Sequence, residues 1–344
     1  MDRHWRRVAA SMMIGWTICA GLPFHQAPAM AQALAPGVLE PERPGPAGEP
    51  TKISIGIYVL DIADINDAGQ AFSADLSVTT QWQDDRLAHG SVESRRAALN
   101  SVWHPRIVVF NARQVTRGLP EEAIVSKTGL VRYQQRFTGT FSAPLKLHDF
   151  PKDEQLLRFQ VVFQGLDLDQ VELSVNEEMT SQAAEFTIAD WHVEEGLAHI
   201  EPVEFTETIS RPGVTYQFAV RRDVQYYRLK IISTLILIVL MSWSAFWMTI
   251  GDVGPKLAMG ASSMLTLIAY RFYLSGLVPK ISYMTRMDYF VMGSTALVFA
   301  TLVGTLLINN LHQHGRNEAA HKVQLWSRIA FPAVIVVLVI LLER

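Results

Sequence analysis

The 344 residues carry 30 Lys and Arg against 33 Asp and Glu, a formal net charge of -3, and 49% are apolar. That balance excludes the basic footprint of a nucleic-acid-binding protein, and the chain carries no RNA- or DNA-binding motif. The average hides an uneven chain: up to about residue 228 it reads as soluble and charged, and four long apolar stretches follow.

Residues 1–31 read as a secretory signal peptide. Arg3, Arg6 and Arg7 form its positive region, 8–22 its apolar core and Ala29-Met30-Ala31 its cleavage site. The one cysteine, Cys19, lies inside it, so the mature chain is expected to have no disulfide, thiol nucleophile or thiolate metal site. An exported domain without disulfides has to be held by its core and its partners. Residues 32–50 read as a flexible, proline-rich leader, with five prolines and three glycines between 34 and 50.

Short strands are expected over 51–222. The clearest is 72–82, where Phe72, Ala74, Leu76, Val78 and Trp82 alternate with Ser73, Asp75, Ser77, Thr79 and Gln81, the period of a half-buried strand. Similar runs lie at 53–60, 106–110, 130–141, 155–163, 171–175, 185–195 and 214–220. Turn signals at Asn66-Asp67-Ala68-Gly69, Lys127-Thr128-Gly129 and Arg211-Pro212-Gly213 separate them. Many short strands with regular turns imply an all-β, immunoglobulin-like sandwich.

An all-α membrane domain is expected over 223–344, with helices at about 228–250, 256–276, 287–310 and 325–342. The stretches 231–251 and 289–311 carry no charge, and 257–278 carries only Arg271. The fourth apolar run is short and reaches about 17 residues, the minimum for a span, only by extending back through Trp326. With the outer domain exported, the links at 251–256 and 312–327 fall in the cytoplasm. Lys256, Arg316, Lys322 and Arg328 suit that placement. Arg221, Arg222, Arg228 and Lys230 do not, and the signal peptide is given precedence over them.

The second helix carries Ala258, Ser262, Leu265, Ala269, Phe272 and Gly276 at steps of four and three, one stripe along a helix. Ser262, Ser263 and Thr266 add hydroxyls, and Gly260 and Ala261 permit close packing. The stripe fits either a helix–helix contact in a compact anchor or the wall of a pore, with Leu265 and Phe272 as hydrophobic rings that gate by dewetting. The histidines match no zinc spacing, and no Ser-His-Asp order, phosphate loop or paired-carboxylate motif stands out. No metal, no cofactor and no enzymatic activity are expected.

The segment LHDFPKDEQLL resembles the signature loop of pentameric ligand-gated ion channels, the Cys-loop receptor superfamily. The cystine positions would fall on Ala143 and Leu157, which places the chain in the cystine-less bacterial branch. Trp103, Pro105 and Asn111, the segment QWQDDRL, the junction Arg221-Arg222 to Tyr226-Tyr227, SWSAFW, VPKISYMT and SRIAFP resemble further family motifs in the same order. The match covers roughly residue 50 to the C-terminus.

The resemblance implies a pentamer, taken as a homopentamer, embedded in the lipid of the bacterial inner membrane with its sandwich in the periplasm. An unidentified small-molecule or ionic agonist would bind between outer domains and open a pore lined by the stripe. A non-conducting, membrane-anchored sensor on the same fold is the alternative. Asp67, Asp153 and Arg222, with Pro151, Pro279 and Lys280, are the expected coupling residues where the two halves meet. Tyr133, Phe163, Phe205 and Tyr216 are candidates for an aromatic cage around a cationic agonist; the last two flank a turn at 210–213 resembling the family's capping loop. Arg113 and Arg117 are candidates for a carboxylate. Asp252 is the candidate for weak cation selectivity, Lys256 decides little, and Arg271 falls off the pore axis. No histidine lies between His199 and His312, so acid alone is not expected to be the main agonist, and any pH response falls to carboxylates such as Asp61 and Asp67 or to the polar links.

Overall fold

The computed structural model describes residues 41–46, 48–206, 208–276 and 281–343. The expected signal peptide with Cys19, most of the leader, Pro279 and Lys280 lie outside the described residues.

The strands in chain order are β1 (Thr51–Asn66), β2 (Ala71–Gln83), β3 (Arg95–Ala98), β4 (Arg106–Val109), β5 (Ala112–Arg117), β6 (Glu122–Val125), β7 (Leu130–Ser142), β8 (Glu154–Gln164), β9 (Val171–Val175), β10 (Ser181–Gln182), β11 (Trp191–Val193), β12 (Leu197–Ile200), β13 (Val203–Thr206), β14 (Ile209–Arg211) and β15 (Gly213–Arg222). One sheet runs β10-β1-β2-β7-β6-β3, with β5 also on β7 and β9 on β1; the other runs β11-β15-β8-β4, with β12 on β15. Register turns alternation into a core. Antiparallel β1 and β2 set Ile53 opposite Trp82, Ile57 opposite Val78 and Val59 opposite Leu76, all of them buried. The second sheet answers with Leu157 opposite Phe218 and Phe159 opposite Tyr216. Phe72, Phe141 and Phe159 meet between the layers at ring distances of 4.9 to 5.5 Å. Each such side chain contributes about 1.5–3 kcal/mol by leaving water.

Three readings of this half need correction. The run at 185–195 is a strand only at β11. Upstream of it Thr187 N donates to the Asp61 carboxylate at 2.8 Å and Ile188 N to the Ile62 carbonyl at 3.1 Å, so the segment is pinned as a loop. The turn at 210–213 is not the hairpin tip: β13 and β14 pair with each other, and Gly213 is already in β15, opposite Val162. Strands β3, β5, β6, β10 and β12 to β14 escaped the sequence, because all are short and all but β6, where Ala123 and Val125 are buried, are largely exposed.

The first span covers Tyr227–Trp247. It opens with a wide π-helical turn at Tyr227–Ile232, continues as α1 (Ser233–Trp243) and tightens into a 3-10 turn at Ser244–Trp247. Helices α2 (Val253–Leu274), α3 (Arg286–Gln313) and α4 (Asn317–Glu343) follow, each long and apolar enough to cross a membrane. Gly260 lets α2 close on α3, since a Cβ there would stand 2.5 Å from Leu302 Cδ2. Thr285 and Asp288 form a reciprocal cap on α3. Two inner links are shorter than expected. Helix α2 begins at Val253, which takes Pro255 and Lys256 into its first turn, and the polar segment 312–327 is helical apart from a turn at 314–316, where Gly315 has φ 72°. Helix α4 starts well before the apolar run because polar helix formers continue it beyond the apolar window.

Candidate functional site

Two strand-end carboxylates and one arginine converge where the sandwich meets the helices. Asp67 sits in the β1–β2 turn, which Asn66 braces by accepting from Gly69 N at 2.7 Å. Asp153 ends the loop between β7 and β8. Strand alternation turns Arg221 outward to Glu154 and Glu194 and Arg222 inward. Arg222 Nε donates to Asp153 Oδ1 at 2.8 Å and Nη2 to Asp153 Oδ2 at 3.1 Å. Nη1 and Nη2 donate to the two Asp67 oxygens, each at 2.8 Å. A fifth bond goes to the Tyr227 hydroxyl at 3.1 Å, and the Trp191 ring lies 4.1 Å from the guanidinium carbon. The side chains of Arg222 and Asp153 are 2% and 1% exposed. Burial opposes the charge on Arg222, but the bonds from Asp153 and Asp67 overcome it and hold the guanidinium above its ordinary value. Burial also pushes the Asp67 carboxyl up, against the pull of Arg222.

The loop carrying Asp153 rests on the start of α3. Arg286 N donates to the His148 carbonyl at 3.1 Å and Met287 N to that of Phe150 at 3.3 Å. Arg286 pairs with Asp149 at 2.6 Å. The His148 and Tyr283 rings stack at 3.8 Å, and Tyr283 Oη accepts from Leu147 N at 3.1 Å. Pro151 is buried within this loop, after a cis peptide bond. Sequence reasoning assigned no site role to Trp191, Tyr227, His148 or Tyr283, although the last three lie within the motifs quoted for the resemblance. Only the β11–β15 register, which sets Trp191 opposite Arg222, could have pointed to the first.

On α2, Lys256, Gly260, Ser263 and Leu267 are buried against the other helices. Ala258, Ser262, Leu265, Ala269 and Phe272 are exposed on the opposite side, and Gly276 is exposed just beyond the helix end. The stripe therefore makes no packing face within the subunit, and Leu265 and Phe272 are 70% and 75% exposed. Ser263 and Thr266 hydroxyls donate to carbonyls one turn back, at 2.9 and 2.8 Å. Asp252 is exposed just ahead of α2, while the Lys256 ammonium is turned behind the helix.

The agonist candidates scatter. Phe163 is 0% exposed and faces the core, because inward alternation along β8 carries it there with Phe159; it is not a surface contact. Tyr216 is buried as well, its hydroxyl donating to Gln182 Oε1 at 3.0 Å. Arg113 is spent on the β1–β2 turn, donating to the Gly69 and Gln70 carbonyls at 2.6 and 2.9 Å. Arg117 and Tyr133 share a cavity of about 240 Å³ with His104 and Glu121. Phe205, on the β13–β14 hairpin, packs on Phe110 with ring centres 4.8 Å apart, and both remain over 40% exposed at 43% and 41%. Phe110 was missed: it follows the last residue of β4, where periodicity ends.

The pattern of neurotransmitter-gated ion-channel ligand binding domains matches residues 34–224, and that of the neurotransmitter-gated ion-channel transmembrane region matches 234–340. A proton-gated ion channel of Gloeobacter violaceus is 25% identical over 293 residues, 84% of this chain and 81% of the relative. The gamma-aminobutyric acid receptor subunit beta-4 of Gallus gallus is 24% identical over 297 residues, 82% of this chain and 59% of that longer protein.

Proposed function

The chain belongs to the neurotransmitter-gated ion-channel family and is a subunit of a ligand-gated ion channel, and on that premise we propose that five identical copies surround a pore lined by Ala258, Ser262, Leu265, Ala269, Phe272 and Gly276. The observation that carries this is the exposure of all six, five on the face of α2 opposite its packed side and Gly276 just beyond the helix end. An apolar stripe left uncovered by its own subunit is matched by copies of itself around an axis, and Leu265 and Phe272 then form rings that exclude water. Arg222, held by Asp67 and Asp153, transmits agonist binding from the sandwich to the helices. The agonist contacts the exposed pair Phe110 and Phe205 beside the β13–β14 hairpin, and the Arg117–Tyr133 cavity is a second candidate. The sandwich lies in the periplasm and the helices in the bacterial inner membrane. Acid acts as a modulator here, although a relative is named for proton gating, because the titratable group tied to the coupling cluster is a carboxylate already engaged by Arg222. Purified protein in planar bilayers, screened with small amines and amino acids, tests the reading. Discrete currents support it; a silent protein whose assembly is other than five copies overturns it.

A further inference from the structure

Arg271 stands in a membrane-spanning helix, exposed. Among the described residues its guanidinium has no hydrogen-bond or ion-pair partner, and it stands in the last turn of α2. With Ile268, Phe272 and Ser275 it lines a cavity of about 330 Å³. Two residues on, Tyr273 is 53% exposed and is braced from behind. Its ring lies 5.7 Å from that of Tyr270, whose hydroxyl reaches the Ile231 carbonyl at 3.3 Å. Lys230 already covers the Tyr226 ring at 4.6 Å, which leaves Tyr273 as the ring presented outward.

Successive residues turn by about 100° around a helix. Tyr273 therefore lies about 60° to one side of the Leu265–Ala269 stripe, with Phe272 and Ile268 about 40–80° to the other side and Arg271 behind them. In a closed ring of five, each helix meets its neighbours about 54° to either side of the direction to the axis. Tyr273 thus aims at one neighbour, and the cavity opens towards the other. Resting on the five-copy reading above, we propose that Tyr273 of each copy seats in the cavity of the next. Its ring packs on Ile268 and Phe272, and its π face meets the Arg271 guanidinium. The contact completes a site that neither copy holds alone. It joins adjacent pore helices at the height of Phe272, where the bulky end of the stripe lies.

The full chain carrying Cys19→Ser, Tyr273→Cys and Ser275→Cys, reconstituted in vesicles and treated with a short bismaleimide, tests this. Positions 273 and 275 project about 200° apart on one helix, so a link joins different copies. The expected result is a ladder of linked species up to five on denaturing gels, absent from each single-cysteine variant. Monomer bands alone, from a sample that native mass spectrometry reads as five copies, overturn the contact and leave the assembly standing. A count other than five overturns the assembly reading and this contact with it. The temperature at which the assembly falls apart supplies a second readout. Tyr273→Leu lowers it by about 2–4 °C, Tyr273→Phe leaves it unchanged, and Arg271→Gln adds nothing to the Leu variant. Independent, additive effects of the two positions refute the arginine–tyrosine contact.

Discussion

The Arg222 cluster and the α2 stripe are built to opposite specifications. Within one subunit the cluster is finished: the guanidinium donates to both carboxylates and to Tyr227, and water is excluded. The stripe is unfinished, with its bulkiest members, Leu265 and Phe272, 70% and 75% exposed. The contrast separates what one chain can do from what needs an assembly. On the proposed reading, coupling between sandwich and helices is a property of the subunit. The pore is a property of the ring, so damage to the first should spare assembly, and damage to the second should change conduction without disturbing the fold.

The largest effect is expected at the finished site. Arg222→Ala leaves two buried carboxylates without a counter-charge, at a cost on the order of 3 kcal/mol. That is enough to move a closed–open equilibrium by about a hundredfold. Opening should fail while five-copy assembly and agonist binding by the outer domain persist. A double-mutant cycle with Asp153→Asn should show strong coupling. Strictly additive effects would mean that the bonds seen between the two side chains carry no gating energy.

The unfinished site responds with the opposite sign. Leu265→Ser replaces an apolar ring with hydroxyls, which favours hydration of the constriction. Resting open probability should rise by about tenfold, the scale of removing one buried aliphatic contact per ring. Single-channel recording in bilayers checks this, and an unchanged resting current removes Leu265 from the gate.

The same contrast explains what the sequence disclosed. Core strands such as β2 and β8 were legible because burial on one face imposes a period of two. The α2 stripe was legible because a helix repeats its faces every three to four residues, but its exposure was not, since a packing face and a pore wall are written in the same residues. The Arg222 cluster joins positions 67, 153 and 222. No local pattern relates residues that far apart, and only the family resemblance brought them together before the structure did. The Phe110–Phe205 pair and the His148–Tyr283 stack stayed hidden because each forms across elements whose own periodicity is silent. Phe163 misled for the converse reason: an aromatic in a sandwich strand is more often core than cage.

Acid should act first on one arm of the finished site. Burial raises the Asp67 carboxyl above its ordinary value of 3.8. Between 3.8 and that raised value, the folded protein holds a proton that the unfolded chain has released. Stability from this group therefore falls as pH rises through the window and grows as pH is lowered through it. Thermal unfolding of the unmodified protein and of Asp67→Asn, compared between about pH 6 and pH 4, should show the unmodified protein gaining relative to the variant on acidification. A relative loss would mean that Arg222 holds the carboxyl below its ordinary range. Protonation also removes one acceptor from Arg222, so agonist sensitivity should shift with acid in the unmodified channel and less in Asp67→Asn.

The smallest effect concerns the charge at what the proposed reading makes the inner mouth of the pore. Two charges stand there, and the structure separates them: Asp252 is exposed ahead of α2, and Lys256 is turned behind it and buried. In a ring of copies the five aspartates face the ion path more directly than the five lysines, which argues for weak cation selectivity. The preference stays weak because Asp252 lies outside the helix, on a short turn where Asp252 N donates to the Thr249 carbonyl at 3.1 Å. A carboxylate more than about 8 Å from the passing ion is largely screened at physiological salt. Reversal potentials in a potassium chloride gradient should therefore lie on the cation side of zero, and Asp252→Asn should move them towards zero by a fraction of the full range. Lys256→Gln should move them little, because its ammonium points away from the path. A reversal potential near that of chloride in the unmodified channel, or a larger shift from Lys256→Gln than from Asp252→Asn, would reverse the assignment of the two charges.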